Sequence, residues 1–217
     1  GVLQERVNLN ARLTDLSRLI PGARGEISTA GWARYRNNRF SGVLQGQGKD
    51  LVRNDIRAEV FTAEFKLSES SQNVQPSFFL QGRLQNLTAG NFRCRSLDLE
   101  TKGSLKRHEA KITLHAEGGE IQSELSGGYE EGVWEGALTG LTAKEAKGFW
   151  DLRGPAKIQW SPRKILLTPV MLKGGQGEAV QIEGNLEPEP LTGDARVEWK
   201  RLDLARMNPW LEIGKLS

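Results

Sequence analysis

The sequence predicts an all-β fold, mainly antiparallel, and three observations carry that prediction. Apolar and polar residues alternate with period 2 over one segment after another, as in strands with one apolar and one wet face. Between Gly103 and Trp160 the alternation breaks at turn residues about every ten positions, a spacing that suits short hairpin connections. The end of the chain also resembles its beginning, which points to a repeat-like architecture.

Taken in order, Val7, Leu9, Ala11 and Leu13 alternate with Asn8, Asn10 and Arg12, a strand. LTDLSRLIPG then predicts a short helix near 15–20, capped by Thr14 or Asp15 and stopped by Pro21-Gly22. Strands follow at Gly25–Tyr35 and Phe40–Gly48. Within Asp55–Leu67 the apolar parity switches after Val60, which argues a β-bulge or a strand covered on both sides. Residues 68–76 are a polar loop. Phe78, Leu80, Gly82 and Leu84 form the next strand, and Leu97, Leu99, Thr101, Gly103 and Leu105 the one after.

The central stretch is the most regular. Ala110, Ile112, Leu114 and Ala116 share one parity; Ile121, Ser123 and Leu125 share another strand face; Trp134, Gly136, Leu138 and Gly140 form a third set. Trp150 with Leu152, then Ile158 with Trp160, continue the pattern, followed by Ile165–Lys173, Val180–Leu186 and Ala195, Val197 and Trp199. Glycine inside a strand marks a bend or a close approach by another group. An apolar face notched by glycine therefore either curls tightly on itself or leaves room for a guest, with an ordinary sandwich core as the competing reading.

Residues 12–28 can be laid on 201–217: Asp15-Leu16-Ser17-Arg18-Leu19-Ile20-Pro21 against Asp203-Leu204-Ala205-Arg206-Met207-Asn208-Pro209. This predicts a second short helix near 204–208. The 217 residues then read as a single fragment of a longer repeat-like β-groove, one unit spanning about 12–200 and the next opening at about 201.

Several function classes find no support. Net charge is +3 with both signs interspersed, so no basic block for nucleic acid is present. No run approaches the roughly 18 apolar residues of a membrane span. Cys94 is the single cysteine, and His108 and His115 have no partners at metal-ligand spacing, so no metal and no cofactor is expected. There is no nucleophile elbow, and the glycine-rich 46–49 and 174–177 open no helix that would cradle phosphate. No catalytic residues converge, and the chain reads as a non-enzyme.

The ordered series Gly103-Ser104-Leu105 and His108, then Trp134-Glu135-Gly136-Ala137-Leu138, then Gly148-Phe149-Trp150-Asp151-Leu152 resembles the carboxy-terminal region of the TamB family. LSRLIPGARGEI and LDLARMNPWL are similar to repeat junctions of that family and of the wider AsmA-like group. The resemblance covers nearly the whole chain. It implies an elongated sheet curled into a U-shaped, taco-like trough with an apolar inside. It implies the periplasm of a Gram-negative bacterium, with the parent protein anchored in the inner membrane. It also implies phospholipid transport to the outer membrane, or outer-membrane protein assembly with the barrel partner TamA.

Strand parity nominates Ile112, Leu114, Ile121, Leu125, Trp134, Leu138, Ile158, Val180, Ile182 and Val197 as the lining of a lipid groove. Phospholipid acyl chains suit such a surface: each buried methylene gains about 0.8 kcal/mol, so roughly sixteen carbons offer on the order of 10 kcal/mol before ordering costs. The alternative is a scaffold whose open sheet edge pairs with a nascent strand.

Overall fold

The structure is a computed structural model and describes residues 6–18, 20–36, 39–68, 75–90, 92–188 and 191–203. It is nearly all β. The strands are β1 (Val7–Leu13), β2 (Ala23–Arg36), β3 (Arg39–Arg53), β4 (Ile56–Leu67), β5 (Ser77–Ala89), β6 (Phe92–Ser104) and β7 (His108–Ala116). Then come β8 (Gly119–Glu130), β9 (Val133–Glu145), β10 (Gly148–Leu152), β11 (Ala156–Ser161), β12 (Lys164–Gly174), β13 (Ala179–Pro188) and β14 (Leu191–Lys200). β1 to β6 pair in chain order, as do β8 with β9 and β12 with β13 and β14, while β10 and β11 lie end to end, each pairing both β9 and β12. The all-β antiparallel class read from the period-2 pattern is the one found.

Packing divides the chain into a first unit, residues 1–104 with 114–117, and a second unit, residues 105–113 with 118–217. In the first unit the register sorts residues cleanly. Ile27, Gly48, Phe61, Leu84 and Leu97 stand opposite one another across five strands, as do Gly31, Leu44, Phe65, Leu80 and Thr101. The intervening rungs are polar, for example Gln45, Glu64, Gln81 and Glu100. Directly paired residues share a face, so this sheet is apolar on one side and polar on the other.

The parity switch in β4, expected as a bulge or a strand covered on both sides, does not come from a bulge within β4 itself. Neither β4 pairing shifts register there. The neighbouring β2–β3 pairing shifts register between Arg24 and Glu26, and Gly25, Asp50 and Asn86 adopt positive φ, placing a kink in β2, β3 and β5 at nearly one level. At Gly25 a Cβ would stand 2.6 Å from the Asp50 carbonyl oxygen, so only glycine fits the close approach. Past the kink, Ala58 and Cys94 are buried, and burial raises the Cys94 thiol pKa.

The expected helix near 15–20 is a single 3-10 turn, Leu16–Arg18. Asp15 caps it: its Oδ1 accepts from the Ser17 hydroxyl at 2.7 Å and the Ser17 N–H at 3.0 Å. These bonds, the hydroxyl first, hold the Asp15 carboxyl below its ordinary value. A depressed folded-state pKa contributes stability above the unfolded value, and that stability is lost as pH falls through the folded one. In Ser17→Ala the Asp15 carboxyl should titrate closer to its ordinary value by NMR, and unchanged titration would contradict the cap. The second helix, near 204–208, falls outside the described residues. Leu105, assigned to a strand from its parity, lies in the bend before β7 and is exposed.

In the second unit the strand between β9 and β12 is interrupted at residues 153–155, where Arg153 N–H donates to the Met171 carbonyl at 2.8 Å. Two register shifts occur, between Glu124 and Leu125 and between Leu167 and Val170. The first corrects one parity assignment: Gly140 pairs with Glu124 on the polar side, and Leu141 and Ala143 continue the apolar face of β9. The second explains why ILLTPVML is apolar on both parities, since Ile165 and Leu167 hand over to Val170 and Leu172 on one face.

Candidate functional site

The candidate site is the apolar face of each unit. In the second unit its register can be followed strand by strand. Ile121 pairs Ala143, Leu125 pairs Leu138, and Gly136 pairs both Gly127 and Ile158. Ile158 pairs Leu167, Val170 pairs Ile182, Leu172 pairs Val180, and Ile182 and Val180 pair Val197 and Trp199. Of the residues nominated from sequence, Ile121, Leu125, Trp134, Leu138, Ile158, Val180, Ile182 and Val197 thus share one face. Ile112 and Leu114 share a side of β7 by alternation; Ile112 belongs to the second unit and Leu114 to the first. The opposite face carries Gln122, Lys157, Lys173, Glu183, Arg196 and Glu198.

Burial along this face is uneven. Leu138, Ala156 and Val170 form a small buried cluster, packed by Leu125, Leu152, Ile158 and Leu172. Toward β14 the face opens, with Val197 50% and Trp199 56% exposed. In the first unit Val7, Leu9, Leu44 and Phe40 of the apolar face are exposed. Among the described residues no large side chain is fully buried, which a covering second layer would produce.

The glycine notches divide into two kinds. Gly127 and Gly136 face each other, and Trp134 lies over them: a Cβ on Gly127 would stand 2.6 Å from the indole, and one on Gly136 2.5 Å. That notch is the seat of Trp134, whose Nε1–H donates to His108 Nε2 at 2.7 Å. The bond joins residues 26 apart, so the metal-ligand spacing by which His108 is read in the sequence does not reveal it. The notch in the first unit is open. Thr29, Gly46, Ala63 and Gly82 stand in one rung, and Cβ atoms on Gly46 and Gly82 would meet nothing nearer than 3.8 Å. Leu44, Phe65 and Leu80 wall it on one side, Phe61 and Leu84 on the other.

The polar face of the first unit holds an open hollow of about 440 Å³ lined by Gln45, Gln47, Thr62, Glu64, Gln81 and Arg83. Its charges are paired. Lys66, then Gln45, hydrogen-bond Glu64 and lower its pKa, and Asp98 raises that of Arg83. Among the described residues no group of three metal-ligating side chains converges, and no helix is long and apolar enough to cross a membrane.

A family model described as TamB, N-terminal domain, matches residues 1–214. No curated protein and no solved structure matches the chain. The match corrects one detail of the sequence reading, which put the motifs in the carboxy-terminal region of the family. Alternating strands and W-x-G-x-L series are degenerate motifs, and they do not fix a position along a repetitive protein. Over nearly its whole length, the chain belongs to the TamB family.

Proposed function

We propose that this chain is one stretch of a periplasmic, bridge-like hydrophobic conduit that carries phospholipid between the inner and outer membranes. Family membership ties it to outer-membrane-related transport or assembly. The observation that carries the finer reading is the register itself. In each unit it gathers the apolar side chains onto one face, which stays partly open to solvent. The guest on such a face is an acyl chain, held by non-directional burial that lets it slide. The ten nominated residues, from Ile112 to Val197, are the proposed lining, and the headgroup stays in water. The parent protein is anchored in the inner membrane. No chemistry is performed on the cargo.

The scaffold reading keeps one specific observation. β1 is exposed almost throughout and has β2 as its partner among the described residues. A nascent strand added there, with TamA as the barrel partner, would use backbone hydrogen bonds instead of the apolar face.

Native mass spectrometry of the purified chain tests the conduit reading. The expected result is phospholipid co-purifying with the protein and returning after delipidation and re-incubation. A chain that stays lipid-free in both conditions overturns it. Gly82→Leu sharpens the test: the added side chain enters open space, so the fold should hold, while the filled notch should reduce lipid adducts several-fold.

A further inference from the structure

The strongest feature outside the apolar face lies on the polar face of the first unit, where β2 turns into β3. Trp32, Val43, Lys66, Phe79 and Lys102 stand opposite one another across β2 to β6. The Arg6 guanidinium sits 4.6 Å from the Trp32 ring centre, and the Lys66 ammonium 5.5 Å from that of Phe79. One rung outward Arg34 pairs Ser41 and Ser77 pairs Ser104. Outermost, Arg36 pairs Arg39. Among the described residues of β2 to β6, the next carboxylates in register are Glu64 and Glu100, one rung further in, and Glu64 is engaged by Lys66 at 2.6 Å. The other end of the same strands is mixed, its arginines interleaved with Asp50, Asp55 and Glu59.

Two properties of this margin point to its occupant. Arg36 and Arg39 are like charges placed directly across a strand pair, which destabilises a hairpin standing alone. An anion between them reverses the sign, and the guanidinium fork matches phosphate oxygens. The aromatic rings lie among the cations, Trp32 and Phe79 on one face and the Tyr35–Phe40 pair on the other, with Phe40 55% exposed. Aromatic rings between cations suit the level of lipid headgroups, where one end of a ring is apolar and the other wet. We infer that this margin docks on the surface of an anionic phospholipid bilayer, its arginines on headgroup phosphates and Phe40 at the acyl boundary.

The test is co-sedimentation of the chain with vesicles. Binding to vesicles with about one-third phosphatidylglycerol, absent on pure phosphatidylcholine and weakening with salt, is expected. Arg36→Gln with Arg39→Gln removes two cations and should weaken binding about thirtyfold. Folding should be unharmed, because the variant relieves a like-charge pair. Phe40→Ser should weaken binding separately, and Arg57→Gln at the other strand end should not. Inorganic phosphate should not displace the vesicles. The inference is overturned by equal binding to neutral vesicles, by a double variant that binds as well as the parent, by displacement with free phosphate, or by capture of an acidic protein in place of lipid. Val197→Asp separates this site from the conduit: it should lose lipid adducts and keep vesicle binding.

Discussion

Gly136→Ala is expected to destabilise the protein by about 2–3 kcal/mol, while Gly82→Ala leaves stability nearly unchanged. Both glycines lie in strand interiors on an apolar face, and from sequence they are equivalent. The difference is in what surrounds the missing Cβ. At Gly136 the added methyl would meet the Ser126 carbonyl oxygen, the Trp134 indole at 2.5 Å and the Gly127 Cα at 2.8 Å. The indole can swing away, but the Ser126 and Gly127 backbone belongs to the β8–β9 ladder and cannot move without opening it. At Gly82 the nearest atom is 3.8 Å away. Urea or thermal unfolding of the two variants decides the matter, with a fall of roughly 5–10 °C in Tm for Gly136→Ala. Trp134→Leu added to Gly136→Ala should recover part of the loss, since it removes one of the two obstacles. Equal stability of the two glycine variants would mean that the Trp134 seat is not closed.

That pair of glycines also marks how far the sequence could be read. Period 2 placed nearly every strand, because alternation is a local property of each segment. It failed wherever the outcome depended on a neighbouring strand. Gly140 was assigned to the apolar face because the shift at Glu124/Leu125 is a property of the β8–β9 pairing and leaves no mark in β9 alone. The parity switch in β4 argues a bulge or a strand covered on both sides, but the irregularity lies in the neighbouring strands, at Gly25, Asp50 and Asn86, where the β2–β3 pairing shifts register. His108 was set aside for lack of ligand partners, yet the indole nitrogen of Trp134 reaches it from another strand. The open rung of Thr29, Gly46, Ala63 and Gly82 was invisible for the same reason, because its four members come from four strands. Side-chain type was legible, and cross-strand register was not.

Val197→Asp is expected to block lipid passage in the full-length protein while leaving it folded. The choice of position follows from burial. Leu138 is 8% exposed in the buried cluster, so Leu138→Asp would cost several kcal/mol and confuse misfolding with blockage. Leu125 packs against the same cluster and shares that defect. Val197 stands on the same face, opposite Ile182, but is half exposed, and a carboxylate there reaches water in the empty protein. It becomes costly once acyl chains cover the face, and because the face is continuous across β12 to β14, one such barrier stands in the path of every chain. Aspartate is a sharper probe than arginine, whose long stem can carry its charge out to the rim. Glu124→Arg, on the polar face, and Thr113→Asp, on the β7 side away from Ile112 and Leu114, change charge without touching the proposed lining and should be tolerated. The measurement is outer-membrane barrier function in cells carrying each variant at matched protein levels, with folding checked separately. If Val197→Asp protein accumulates, folds and supports the barrier as well as the Glu124→Arg form, lipid does not travel along this face. The exposed edge of β1, pairing with a client strand, then becomes the better account of what this part of the protein does.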